Sequence, residues 1–258
     1  MAVAQVGGIK VGYELHGPDD GDPVVLLGGT GMPRGVWHLM QLPTLVEAGY
    51  RVAAVDLRGV GDSSAPTGPY TIEEMAEDLT GLLGHLGWSR VRLIGLSQGG
   101  FVAEQLCATR PDLVQAAVLF ASAGATTAYQ RAWFEAMRAL FAADAVPREF
   151  FIAENLANTL PAMALRDDDE AVGRWVEMLS AQDWATPGQR GQYLACISWM
   201  LDVDRAARWP RIECPVQVLS CEHDLMFPPR TGRAAAAAMP NATFVEITGH
   251  AHGGAIQA

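Results

Sequence analysis

The 258-residue chain is 50% hydrophobic and 18% charged, with a formal net charge of −11, which excludes a disordered or fibrous polymer and makes phosphate backbones poor partners, so no nucleic-acid role is expected. No apolar run reaches the ~20 residues needed to span a bilayer. The opening Met1–Lys10 segment lacks the basic-then-apolar order of a signal peptide, so a cytoplasmic location with no membrane partner is expected.

Cys107, Cys196, Cys214 and Cys221 have neither C-x-x-C spacing nor clustered histidines. They read as free buried thiols, and no metal site is expected. In chain order, Ile9–Glu14 reads as an edge strand and the fully apolar Pro23–Gly28 as a buried parallel strand. Trp37–Ala48 reads as a helix closed by Gly49, and Arg51–Asp56 as the next strand. Thr71–Leu86 places Ile72, Met75, Leu79, Leu82, Leu83 and Leu86 at helical spacing, and Thr71-Ile-Glu-Glu74 has the form of a capping box. Val91–Gly95 is a strand, Gln98–Thr109 a helix ending before Pro111, and Ala116–Ala121 a strand. Strands return at Val216–Ser220 and Thr243–Ile247, with a helix over Arg230–Ala238 between them.

This repetition implies right-handed crossovers, a mostly parallel central sheet and flanking helices, an α/β fold. Residues 124–209 show helical stretches and no clear strand. They are expected to form a helical cap inserted into an α/β core built from 1–123 and 210–258, a separate helical domain being the alternative.

The sharpest motif is Gly95-Leu96-Ser97-Gln98-Gly99-Gly100, a G-x-S-x-G string between an apolar strand and a helix. A serine on such an elbow needs a strained backbone and small neighbours, and the helix N-terminus behind it favours developing negative charge. With this motif the chain resembles the α/β-hydrolase superfamily from about Pro23 onward. Asp56-Leu-Arg-Gly-Val-Gly-Asp-Ser-Ser64 is similar to the family's D-x-R-G-x-G-x-S segment, which shapes a loop and is assigned no chemistry. Val24–Gly31 is similar to the strand and oxyanion loop, with Gly28-Gly29 where the family usually has His-Gly.

The resemblance implies Ser97 as nucleophile, with backbone N–H groups of Thr30 and Gln98 as oxyanion donors. Val216–Asp224 is similar to the family's late strand and acid turn, with Cys221 in a glycine's place. Asp224 is then the acid, and Glu222 ranks below it. Two bases are available, His250 and His252. Counting from the final strand favours His252, leaving His250 a loop or pocket residue. His16 and His38 read as surface or loop residues, His85 as helical, and His223 as part of the acid turn. The superfamily usually continues into a closing helix beyond this point, whereas the sequence ends at Ala258.

No cofactor is implied, and a small molecule is the expected partner. Ester, lactone or thioester cleavage of a small hydrophobic substrate through an acyl-enzyme is the leading reading. Acyl transfer, cofactor-free perhydrolysis, carbon–carbon bond hydrolysis and lyase chemistry on the same triad stay open, as does a non-catalytic binding protein. Serine at the elbow sets the chain apart from epoxide hydrolases and haloalkane dehalogenases of this fold, which place aspartate there. Trp133, Phe134, Phe141, Phe150, Phe151, Trp175, Trp184, Tyr193 and Trp199 are each expected mainly in packing but together suggest an apolar pocket. Arg131, Arg138, Arg166 and Arg174 are candidates for binding a carboxylate, with surface placement the simpler reading. The oligomeric state is open.

Overall fold

The computed structural model describes residues 2–39, 41–143, 146–181 and 186–254. Two strands open the chain, β1 (Ala2–Val6) and β2 (Ile9–His16), joined as an antiparallel hairpin in which Val6 pairs with Ile9. The turn is Gly7-Gly8, both at positive φ, the conformation that a two-residue hairpin matched to strand twist requires. This corrects the sequence reading of Ile9–Glu14 as an edge strand: β1 is the edge and β2 lies inside it. A Gly-Gly pair between two short runs of alternating character was the signal for it.

The core continues with β3 (Pro23–Leu27), a 3₁₀ turn at Arg34–Leu39, helix α1 (Gln41–Glu47) and β4 (Arg51–Val55). The single helix expected over Trp37–Ala48 is therefore two elements. Helix α2 (Ile72–Leu86), β5 (Val91–Leu96), α3 (Gln98–Thr109) and β6 (Val114–Phe120) follow. Then come α4 (Ala128–Ala142), α5 (Arg148–Thr159), α6 (Ala162–Asp167), α7 (Asp169–Ala181), α8 (Pro187–Leu201) and a second 3₁₀ turn at Arg205–Arg211. The chain closes with β7 (Val216–Cys221), α9 (Pro229–Ala238) and β8 (Ala242–Ile247). Together the strands form one eight-stranded sheet in the order β1-β2-β4-β3-β5-β6-β7-β8, parallel from β4 to β8.

Why these segments adopt these states is visible locally. In β3, Val25 and Leu27 feed one core cluster with α2 and α3, while Val24 and Leu26 feed a second with Trp37 and Leu42. A strand buried on both faces must be apolar throughout. Helix α2 begins at a true capping box: the Glu74 N–H donates to Thr71 Oγ1 (3.1 Å) and the Thr71 N–H to Glu74 Oε2 (2.9 Å). Thr127 and Gln130 repeat the device at α4, and Thr186 caps α8 ahead of Pro187. Helix α3 is buried from Gln98 to Cys107, which is why it carries glycine and alanine where a surface helix would carry charge.

Close approach of α3 to the sheet depends on absent side chains. A Cβ on Gly95 would meet the Gly99 carbonyl, and a Cβ on Gly99 would overlap the Leu27 carbonyl of β3. Backbone of a central strand cannot move aside. Gly99→Ala is therefore expected to lower unfolding free energy by about 2–3 kcal/mol, the cost of overpacking a rigid site, read as a drop in the urea midpoint. A midpoint equal to the parent's would sink this account of the α3 packing.

Candidate active site

Ser97 lies between β5 and α3 with φ 50° and ψ −115°, a region that costs a non-glycine residue on the order of 1–3 kcal/mol. Its N–H donates to the Phe120 carbonyl (2.9 Å), which pins the elbow to the neighbouring strand β6.

The turn after β7 brings Asp224 beneath it. Asp224 is 2% exposed, and its Oδ1 accepts from the backbone N–H groups of Met226 (2.7 Å) and Phe227 (2.8 Å). Its Oδ2 lies 2.8 Å from His252 Nδ1, and His252 Nε2 lies 3.1 Å from Ser97 Oγ. An ionised carboxylate only accepts, so Asp224 keeps the imidazole proton on Nδ1 and leaves Nε2 to accept from the serine hydroxyl. Phe227 stacks on the His252 ring at 5.5 Å between centroids and 29° between planes. His250 is placed elsewhere: its carbonyl accepts from the His223 N–H (2.8 Å) and it borders a separate depression with Pro161 and Arg174. Glu222 Oε2 accepts from the Gly249 N–H (2.9 Å), holding the base loop. A Cβ on Gly254 would meet both His250 Cβ and Cys221 Sγ, so the cysteine at the family's glycine position is packed against a glycine.

On the other side of Ser97 runs the loop after β3. A Cβ on Gly29 would sit 3.5 Å from Ser97 Cβ, so this backbone passes directly over the serine. Thr30 follows, with Oγ1 3.2 Å from Cys196 Sγ. Gln98 is fully buried; its Nε2 donates to the Gln192 carbonyl (2.9 Å), and its own N–H lies in the first turn of α3, where no preceding helical carbonyl exists. Thr30 and Gln98 thus lie on the two backbone segments beside Ser97, the loop after β3 and the first turn of α3. Arg34 holds the far end of the loop. Its N–H and its guanidinium both donate to buried Asp56, and Asp56 also accepts from the Asp62 N–H (2.9 Å). This is the loop-shaping work of the Asp56–Ser64 segment.

A cavity of about 410 Å³ opens over Ser97 and His252. Of the aromatics singled out by sequence, Trp133, Phe134, Phe151, Trp175 and Tyr193 line it. Phe141 and Trp199 are buried in the core and Phe150 is exposed, while Trp184 lies outside the described residues. Arg131, Arg138, Arg166 and Arg174 are all exposed, and none lines the cavity. Sequence reasoning missed Phe227 and Glu154. Phe227 carries no local signal. Glu154 carries one: with Phe151, Asn155 and Asn158 it falls on one face of α5, a carboxylate on an otherwise inward stripe.

Burial pushes the Glu154 carboxyl up to about 7, against a lowering hydrogen bond from Asn158. Burial also disfavours the His252 imidazolium, but the charge and hydrogen bond of Asp224, with Glu154 beyond, outweigh this and raise its pKa above the ordinary value. All four cysteines are free and buried. Outside the cavity lining, Glu14, His16 and His38 bring donor atoms within 4.8 Å of one another. Burial raises the Glu14 carboxyl, yet hydrogen bonds from His38, His16 and Arg34 prevail and hold it at about 2. That carboxylate is already engaged in tying β2 to the Arg34–Leu39 turn. Among the described residues no helix is long and apolar enough to cross a membrane.

A parallel sheet, a strained serine elbow and a histidine–carboxylate pair beneath it define the α/β-hydrolase architecture. The family model for the alpha/beta hydrolase fold matches residues 22–257. The chain therefore belongs to the α/β-hydrolase fold family. It is 32% identical over 248 residues to "Putative non-heme bromoperoxidase BpoC" of Mycobacterium tuberculosis, covering 95% of this chain and 91% of that one. The solved structure of that protein superposes with a TM-score of 0.84 at 31% identity, over 96% of this chain and 90% of that chain. "Putative carbamate hydrolase RutD" of Variovorax paradoxus is 31% identical over 243 residues, covering 93% and 89%. The enol-lactonase of Burkholderia xenovorans matches at a TM-score of 0.78 and 26% identity, over 99% and 94%.

The electrostatics of the site are directly measurable. In an NMR titration of the imidazole ring, His252 is expected to titrate above the ordinary histidine value of about 6.5. Asp224→Asn should lower that midpoint, because the charge holding the imidazolium is gone. A parent midpoint at or below the ordinary value would refute the coupling.

Proposed function

We propose that this hydrolase cleaves esters or lactones of small, largely apolar substrates through an acyl-enzyme on Ser97. The observation that carries the proposal is the unbroken hydrogen-bonded line from Asp224 through His252 to Ser97, ending at the floor of an apolar cavity.

The chemistry follows from the geometry. Ser97 Oγ attacks the carbonyl carbon while His252 Nε2 takes the hydroxyl proton. The carbonyl oxygen becomes an oxyanion facing the N–H groups of Thr30 and Gln98, each such donor being worth about 3–4 kcal/mol in the transition state. Collapse breaks the bond to the leaving oxygen, and His252 returns the proton to it. Water then repeats the sequence on the acyl-enzyme and releases the acid, regenerating Ser97. Asp224 stays ionised and stabilises the imidazolium in both halves. In a lactone the leaving alcohol stays tethered, and a thioester would leave by the same steps. Helices α4–α8 act in this reading as a cap, contributing Trp133, Phe134, Phe151, Trp175 and Tyr193 to the cavity. A serine hydroxyl aligned on Nε2 favours acyl transfer over lyase chemistry, which needs only the base. Relatives carry the names of a bromoperoxidase, a carbamate hydrolase and an enol-lactonase, so the bond cleaved is argued from the site.

A fluorophosphonate probe read by intact mass and peptide mapping is expected to give one adduct, on Ser97. Ser97→Ala should abolish it, and His252→Ala should slow labelling and ester turnover by about 10⁴-fold or more. Because only neutral imidazole can accept the serine proton, kcat/KM should fall as pH is lowered through the His252 titration. A folded parent protein that takes no label would overturn the proposal.

A further inference from the structure

Glu154 is the one carboxylate among the described residues lining the cavity, and neither lysine nor arginine lines it. Its two oxygens each receive one amide N–H: Asn158 Nδ2 donates to Oε1 (2.5 Å) and Asn155 Nδ2 to Oε2 (3.1 Å). Both amides belong to α5 itself, and each also donates to a carbonyl of the same helix, Asn155 to Phe151 (3.0 Å) and Asn158 to Glu154 (3.1 Å). From outside the helix, the Tyr129 hydroxyl of α4 donates to Asn158 Oδ1 (3.3 Å), and the Tyr193 hydroxyl of α8 hydrogen-bonds the Asn155 side chain. The cluster is thus linked to α4 and α8 through its two amides, and among the described residues neither of these outside hydrogen bonds is made to the Glu154 carboxylate itself.

A carboxylate offers about four acceptor sites. Two are filled by Asn155 and Asn158, and among the described residues no cation pairs with the rest. Holding such a group in an apolar cavity is costly unless a donor completes it. The same wall repels a negatively charged substrate, a conclusion the outward placement of Arg131, Arg138, Arg166 and Arg174 reinforces. Around it, Trp133, Phe134, Phe151 and Leu179 provide the apolar contact that an alkyl or aryl chain would use.

We propose that Glu154 is a recognition site for a cationic N–H donor, a primary ammonium in the simplest case, carried by an otherwise apolar substrate. The substrate class is then amino-substituted esters or lactones, a refinement that rests on the hydrolase reading above. The ammonium fills the open acceptor positions of Glu154 while its chain lies along the aromatic wall toward Ser97. The raised carboxyl of Glu154, about 7, fits a group waiting for an external partner.

Binding tests the site without any need for turnover. Isothermal titration of n-hexylammonium, 1-hexanol and hexanoate would be run at about pH 8, where the carboxyl is ionised. Hexylammonium is expected to bind about tenfold or more tighter than hexanol, with hexanoate weakest, as a charge-assisted hydrogen bond requires. Glu154→Gln, of the same shape, should bring hexylammonium down to the level of hexanol. In turnover, phenyl 6-aminohexanoate should exceed its methyl isostere phenyl heptanoate in kcat/KM by a similar factor, and the ratio should collapse in Glu154→Gln. Parent protein that binds hexylammonium no better than hexanol overturns the proposal, as does a preference that survives Glu154→Gln. An ammonium preference in binding, joined to an unlabelled Ser97 and no ester turnover, would uphold the Glu154 site while removing the hydrolase reading.

Discussion

The close approach of the α3 N-terminus to the ends of β3 and β5 governs the rest of this molecule. It can occur only because Gly95 and Gly99 present no side chain where backbone meets backbone. That contact forces Ser97 to positive φ, lifts its hydroxyl clear of the sheet, and leaves the Gln98 N–H in a first helical turn without a partner inside the helix. Strain at one residue and an unpaired donor at the next are thus two results of a single packing event. The energy to hold them comes from a sheet buried on both faces and from a helix enclosed along nearly its whole length.

Charge is arranged around this elbow in two tiers. Nearest it, buried Asp224 fixes the tautomer of His252 through one oxygen and is itself fixed by two backbone donors on the other. Farther out, Asp56, Glu14 and Asp62 gather on the single guanidinium of Arg34, and that ion-pair network anchors the loop that passes over Ser97. Arg34 and Asp56 are buried, so breaking either partner would strand a charge away from water. The loop's position is consequently set by electrostatics at its far end as much as by its glycines.

Glu154 belongs to neither tier. It is coupled to the charge of His252 and faces the same cavity, where neither lysine nor arginine lines the wall to balance it. In a wall of aromatic and aliphatic side chains, one such carboxylate gives the cavity a direction: an apolar body at the aromatics and a donor at the α5 end. The acidic bias of the whole chain is mostly a surface property, whereas this acidic group is placed where a ligand would meet it.

Most of the strand–helix framework was legible in the sequence, because buried parallel strands must be apolar and helices announce themselves by caps and 3.6-residue spacing. The G-x-S-x-G elbow, the acid turn at Asp224 and the choice between His250 and His252 could be reasoned from order along the chain and from family resemblance. The hairpin made by Gly7-Gly8, the break between the 3₁₀ turn and α1, and the roles of Phe227 and Glu154 were not read. The first two are local, whereas the last two depend on contacts between segments far apart in sequence: Phe227 matters because His252 returns beside it, and Glu154 because α5 folds over Ser97. Local patterns determine which segments bury which face, since periodicity is a property of neighbours in the chain. Which side chains converge on one cavity, and with what net charge, was decided only by tertiary packing, because no spacing rule relates residues brought together by the sheet.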